Sequence, residues 1–583
     1  MSKDVNKDIP HEVSIDETVQ SHTLRRENSE TTVARLNKGV SRSVRELGYG
    51  LGLYSQRLKG RHPLKLLASP EDPAPGNSER GRKILAGNLD YNGEKADITS
   101  PLCFDHVENM QEEFIRKFHS FSWIADLEHL SEDDAVCNIV EKFITRWMEK
   151  YENWHPDVWA SDIIGARLTN LIVHAPLTLS SSNMVYRSRL LNAMAQQARH
   201  LSRTIDDAAS GMPAISAASG LLVAGLLLPG GNILLARGAQ KLKTYLEAYV
   251  LPDGGLASRN PDDVVHIMRY LIIIKAGYLD VSQAPPAWVQ TTLDKMAPFV
   301  RGMRHGGGQI ARFNGASTIS TLAIDSVLAA SEARGRAIEN AIHSGFQRIK
   351  NRRTTVIMEC GTPATGIMSK ASHAGTLSFE FSDGKDLVIV NMGPASSGSG
   401  FSELARLART TAAHSTLVVE NTNSSQITDD GLIGSGVREV KTTRTHSTRQ
   451  SEITAQHNGY ARRFGIVHER HISVSADGRS ITGEDRLINV SNKAKDKEAI
   501  VRFHLHPDVK AEVNRSGQGV LLLLPCGHGW QFLVDGGRGS LEESLYLMQR
   551  DHPVRSQQIS VTLDSAQNLD PRSLIWSLER IDK

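Results

Sequence analysis

The sequence predicts an α-then-β protein: an (α/α) toroid or incomplete barrel followed by an antiparallel β-sandwich. Three observations carry this. The 583-residue chain exceeds what a single hydrophobic core fills, so more than one domain is expected. From Pro101 to about Glu332 apolar residues recur at helical spacing between short breaks. Beyond about Arg352 the period changes to two, the signature of half-buried strands. Helices first and strands afterwards mark two packed units rather than an interleaved α/β fold.

In order along the chain, residues 1–46 are polar and mixed in charge and read as a disordered arm. Residues 47–100 form an N-terminal extension with a Pro- and Gly-rich loop at Ser69 to Gly81. The helical domain is assigned to 101–345. Within it Leu190, Met194, Ala198 and Leu201 fall on one helical face, with Ser182 or Asn183 as the cap. Asn260-Pro261-Asp262-Asp263 is a second start signal: a capping amide, a proline suited to the first turn and two acids at the positive end of the helix dipole. The breaks at His174-Ala175-Pro176, Leu228 to Gly231 and Leu251 to Gly255 are short, so neighbouring helices should run antiparallel.

The β-sandwich is assigned to 350–583. Thr376 to Ser382 alternates polar and apolar, Val501, Phe503 and Leu505 alternate with polar neighbours, and Ala476-Asp477-Gly478 is a hairpin turn after Ile472 and Val474.

Composition narrows the function. A net charge of +2 gives no global attraction to nucleic acid, although a local basic patch would suffice for an anionic glycan. The four cysteines form no C-x-x-C pair and are expected as free thiols. The longest apolar run, Leu221 to Ala236, is broken by Pro229-Gly230-Gly231 and reads as a helix–turn–helix corner, not a membrane span. With no apolar leader at the N-terminus, the sequence alone points to the cytoplasm.

Three segments resemble the heparinase II/III-like proteins. Ala371 to Glu380, ASHAGTLSFE, resembles the family's H-x-H-x-D-x-L-S-F strand. Arg409 to Val419, RTTAAHSTLVV, resembles its R-x-T-x-A-H-N-T-V-V-V segment. Leu251 to Gly255 with Ser258 to Pro261 resembles the stretch that precedes its catalytic tyrosine. The resemblance implies a toroid with a sandwich lid and a cleft that takes an acidic polysaccharide or oligosaccharide. It also implies cleavage by β-elimination and a place in the cell envelope or periplasm. Such chemistry needs a neutral base and a positive or hydrogen-bonding partner for the uronate carboxylate.

The chain departs from the family at its reactive positions. Ala371 and Gly375 replace the first His and the Asp of the strand motif. Gly211 to Ser216 lacks the helical Asn/His pair, and Asp263 to His266 lacks the tyrosine. His373, Arg409 and Tyr460 (with His468 on a later strand) stay as catalytic candidates. Arg259, Asn260, Arg304, His305 and Trp154 are candidates for substrate binding, with Arg301 and Trp159 beside them. The resemblance implies a zinc site at His373, Asn391 and His414. Asn391 brings no charge where the family has a carboxylate, so one Zn²⁺ or a hydrogen-bonded histidine pair are both open. Two functions follow: a lyase acting on a uronate-containing glycan, or a glycan- or envelope-binding protein that kept the scaffold without the catalysis. No paired-carboxylate motif supports a glycoside hydrolase.

Overall fold

The computed structural model describes residues 48–49, 53–60, 62–128, 130, 134–317, 319–395, 402–491, 497–514, 519–549, 552–564 and 571–581. The expected arm at 1–46 lies outside them.

The helical half is built from the helices α1 (Asp134–Tyr151), α2 (Ser161–Val173), α3 (Met184–Thr204), α4 (Met212–Leu227), α5 (Asn232–Tyr249), α6 (Pro261–Asp280) and α7 (Ala287–Gly302), of which α2 and α4 pack side by side in the same direction. Both expected caps form. Asn183 accepts from Val185 and Tyr186, and Asn260 accepts from Asp262 at 2.9 Å. α4 is buried along almost its whole length. Gly165 of α2 lies so close to α4 that a Cβ there would meet the Ser216 carbonyl at 2.3 Å, which is why that crossing needs glycine. The expected corner is real: α4 ends at Leu227 and α5 starts at Asn232.

Two features were not anticipated. A small hairpin, Asn88–Tyr91 with Glu94–Asp97, stands in the N-terminal extension. The sandwich also begins earlier than 350, because Asn340–Ala341 and Phe346–Asn351 already pair into its sheet.

The sandwich has two antiparallel sheets. One runs, in spatial order, Gly537–Gln549, His552–Leu563, Ala499–Leu505, Asp386–Val390, Phe379–Asp383, Thr354–Glu359, Phe346–Asn351 and Asn340–Ala341, with Leu417–Val419 also pairing Ala499–Leu505. The other runs Lys510–Val513, Gly519–Leu523, Gly529–Asp535, Arg572–Ile581, Ser480–Asn489, Ile466–Ser475, Gln450–His457 and Val440–His446. Phe379, Phe503, Phe532 and Trp576 pack between them.

The strand expected at Thr376 to Ser382 is shorter and more buried than its alternation suggested. It covers Phe379–Asp383, and all five residues are buried. Its polar side does not face water. Glu380 and Ser382 bond His305 of the helical half, so the polar face of the strand meets the other domain.

Candidate functional site

The end of the toroid that faces the sandwich carries the start of α6 and the loop after α7, and against it lies a short turn of the sandwich half, Gly366–Ala371, whose Met368 reaches Gly211. Here a chain of buried polar groups joins the two halves.

Arg259 begins it. Its φ of 59° is a left-handed conformation uncommon outside glycine and asparagine. The guanidinium donates to the carbonyls of Ser344, Gly345, Gly361 and Thr362 at 2.8–3.1 Å and pairs with Glu359 at 3.0 Å. Glu359 also accepts from Asn314, whose own amide oxygen accepts from the His373 backbone at 3.2 Å. Farther along, Glu380 accepts from the Arg312 and Asn391 backbones and from the Asn391 amide, and lies 3.0 Å from His305 Nε2.

The structure brings His373 and His414 together: His373 Nδ1 is 3.0 Å from His414 Nε2, with the rings nearly perpendicular. His414 Nδ1 is 2.7 Å from the Thr410 carbonyl, which can only accept. That nitrogen therefore carries the proton, and His414 Nε2 accepts from His373. Burial pushes the His414 imidazole down to about 4, so it is neutral at ordinary pH. A side chain at Gly375 would strike the His414 ring at 2.6 Å, so the imidazole fills the space beside the position where the family motif has its aspartate.

This geometry does not suit zinc. Both histidines of a metal site must aim lone pairs at one ion about 2.0–2.1 Å away. Here the His414 lone pair is taken by His373 itself. Asn391 Oδ1 accepts from Ser415 N, and its amide nitrogen donates to Glu380. Among the described residues no group of three or more His, Cys, Asp or Glu side chains is placed to hold a metal ion.

The other sequence candidates fall in structural places. Arg409 is half-buried and donates to the Ser372 and Ser369 carbonyls, tying the turn that carries His373. Tyr460 is 1% exposed inside the sandwich and donates to the Leu417 carbonyl at 3.0 Å; burial raises its pKa, away from what a base requires. His468 pairs with Asp485 between the sheets. Arg304 bonds the Gly308 carbonyl and pairs with Asp325, and Arg301 bonds the carbonyls of Ala333 and Gly335. His305 is buried against Glu380 and Ser382. Asn260 is spent as a cap. Trp154 is half-buried 5.8 Å from the Tyr49 ring, and Trp159 is core.

Several residues at this end were not anticipated. Glu380 and Asn314 are the hubs of the buried chain, and Lys370 lies exposed on the Gly366–Ala371 turn. Arg116 pairs with both Glu112 and Asp162. An acid inside a strand as apolar as Phe379-Glu380-Phe381 was the available signal for Glu380. The others rest on contacts distant in sequence.

Comparison with known proteins follows this geometry. Residues 333–576 match the family described as Heparinase II/III-like, C-terminal. The sandwich is a heparinase II/III-like C-terminal domain. The fold of the chain also resembles solved heparinase structures. Heparinase III superposes with a TM-score of 0.63 at 15% identity, covering 81% of this chain and 78% of that one. A heparan sulfate lyase from Pedobacter heparinus superposes with a TM-score of 0.57 at 16% identity, covering 95% and 92%. At these identities the likeness is one of heparinase-type fold. In sequence the chain is similar to FtsZ-localized protein C of Caulobacter vibrioides, 27% identical over 514 residues, which span 83% of this chain and 85% of that protein.

Proposed function

We propose that this chain is a non-catalytic relative of the polysaccharide lyases, a scaffold that binds an acidic glycan or another cell-envelope partner in its cleft and does not cleave it. One observation carries the reading. The residues that fall at or near the family's reactive positions are buried, or half-buried in the case of Arg409, and make contacts that hold the protein together. His373 and His414 bond each other, Arg409 and Tyr460 donate to backbone carbonyls, and Asn391 bridges Glu380 and Ser415. A general base must reach the proton it removes; both ring nitrogens of His414 are bonded, and the Tyr460 hydroxyl is buried and donating. The similarity to a protein localized with FtsZ, extending over most of both chains, supports a place in cell division rather than in glycan degradation.

The competing reading is a lyase acting on a uronate-containing glycan, favoured by the heparinase-type fold and by the retained His373 and His414. Incubating the full chain with a panel of uronate glycans separates the two. The scaffold reading expects no unsaturated product by ultraviolet absorbance, together with retention of the protein on at least one immobilised glycan or co-localisation of a fluorescent fusion with FtsZ. Steady formation of unsaturated product, lost in His373→Ala, would overturn it.

A further inference from the structure

The hairpin of the N-terminal extension docks on one toroid helix, Glu112–His119, at three points. Glu94 accepts from the backbone of Gln111, the residue that caps this helix. Asn92, held at a φ of 53°, donates to Glu113 at 2.6 Å. Tyr91 lays its ring 5.7 Å from the Lys117 ammonium. The rest of the extension closes on the same flank. A Cβ at Gly76 would meet the Ala125 carbonyl at 2.0 Å, and one at Gly81 the Asp126 carbonyl at 2.1 Å, so the two backbones touch there.

Lys117 differs from its neighbours. Its ammonium makes no hydrogen bond and no ion pair among the described residues. The acids within reach are turned elsewhere. Glu113, one helical turn back, bonds Asn92. Asp126 accepts Nε and Nη2 of Arg80 at 2.9 and 2.8 Å, and the Asn77 backbone at 2.7 Å. Asp72 is held by Arg269 and the Ala74 backbone, and Arg269 also donates to Asn170 of α2. Burial, helped by Arg80 and Arg269 and opposed by Asp126, holds the Lys117 ammonium at about 8.

Two other toroid lysines are half-buried like Lys117, and both hold a carboxylate. Lys241 pairs with Asp206, and Lys275 with Glu332. Three donors with no acceptor weaken a fold unless something outside the chain takes them. Because Lys117 is half-buried and not sealed, a small ligand can reach it.

We propose that Lys117, beside the Tyr91 ring where the extension closes on the toroid, is a binding site for the carboxylate of a small ligand. One ammonium without a carboxylate of its own calls for one negative charge, and its three N–H donors suit two carboxylate oxygens. The aromatic face next to it suits the ligand's carbon skeleton. None of these residues belongs to the junction with the sandwich. The inference therefore goes beyond the scaffold reading and stands whether or not the cleft holds a glycan.

The test is reductive methylation of the full chain, followed lysine by lysine by mass spectrometry of its peptides. Sodium acetate, benzoate, phosphate and chloride are compared at equal ionic strength. Acetate and benzoate should slow methylation of Lys117 about threefold against chloride, the value for a site two-thirds occupied. Lys95, exposed on the same hairpin, should react alike in all four. The same carboxylates should raise the parent's unfolding temperature by about 1–3 °C over chloride, and Lys117→Met should lose that rise. The methylation arm needs no variant, so it decides the matter even if Lys117→Met does not fold. Three results would overturn the proposal. Lys117 resists methylation in chloride or reacts as fast with the carboxylates present; phosphate protects it and the carboxylates do not; or Lys117→Met keeps the full rise.

Discussion

Two histidine pairs in this molecule are nearly superimposable in local geometry and opposite in support. His373 and His414 lie 3.0 Å apart with rings at 80°; His457 and His468 lie 3.4 Å apart with rings at 88°. The second pair, deep in the sandwich, ends on a carboxylate. His468 is 2.7 Å from Asp485, which also takes a two-point contact from Arg470 and the Trp576 indole. The first pair ends on a backbone carbonyl, with no carboxylate bonded to either ring in the contacts described. Burial keeps the His414 ring neutral. Two imidazoles in contact therefore say little about chemistry; what each pair leans on decides whether it stores charge, binds metal or only packs.

Acid should break both arrangements at once, and this is the largest effect expected. Folded His200, His414 and His504 sit at about 4 against an ordinary 6.5, each because burial penalises the charged ring. The unfolded chain thus binds protons more readily between those values. Stability is full above about 6.5 and falls as the pH drops towards 4. Denaturant midpoints taken stepwise through that window should decline steadily, and a flat profile would show that these rings are not buried and neutral.

Removing the support of the sandwich pair comes next. Arg470→Leu leaves Asp485 charged and buried, which should cost about 3–5 kcal/mol in thermal or denaturant unfolding. Arg470 also donates to the carbonyls of Leu377 and Ser415, next to the first pair, so its loss should loosen both. A cost below about 1 kcal/mol would mean the two pairs do not differ in support as described.

The first pair should prove weaker. His414→Ala removes an acceptor and a donor from a buried site and should cost about 1–3 kcal/mol. Chelators should leave the parent's unfolding temperature unchanged. A drop on chelation, absent from His414→Ala, would restore a metal to this site.

The smallest effect separates a cap from a ligand contact. Asn260→Ala should cost about 1 kcal/mol and Asn260→Asp almost nothing, with glycan retention following stability in both. Lost retention at unchanged stability would return Asn260 to substrate binding.

Much of the fold was legible in the residues. The change of period near Arg352, the caps at Asn183 and Asn260 and the corner at Leu228 to Gly231 all depend on neighbours in sequence, where local chemistry is decisive. The site was legible only in part. The motif around His373 and His414 marked two residues that do meet, but burial cannot be read from a motif. Alternation placed Glu380 and Ser382 on a polar face, and that face turned out to meet His305 across the domain boundary. Arg259 looked like a residue at a helix start beside a cleft; its four carbonyl partners lie roughly 85–103 positions away. Contacts of that span leave no trace in periodicity.

Arg259 has a mechanical consequence. A lid that clamps a polymer needs slack where it joins the body, and a side chain riveted to four carbonyls and a carboxylate allows very little. The junction between toroid and sandwich is thus pinned at Arg259, and any movement of one half against the other there must break those contacts. The same rivet couples the halves on heating, so calorimetry should record one transition. Arg259→Ala, with the rivet drawn, should split it in two.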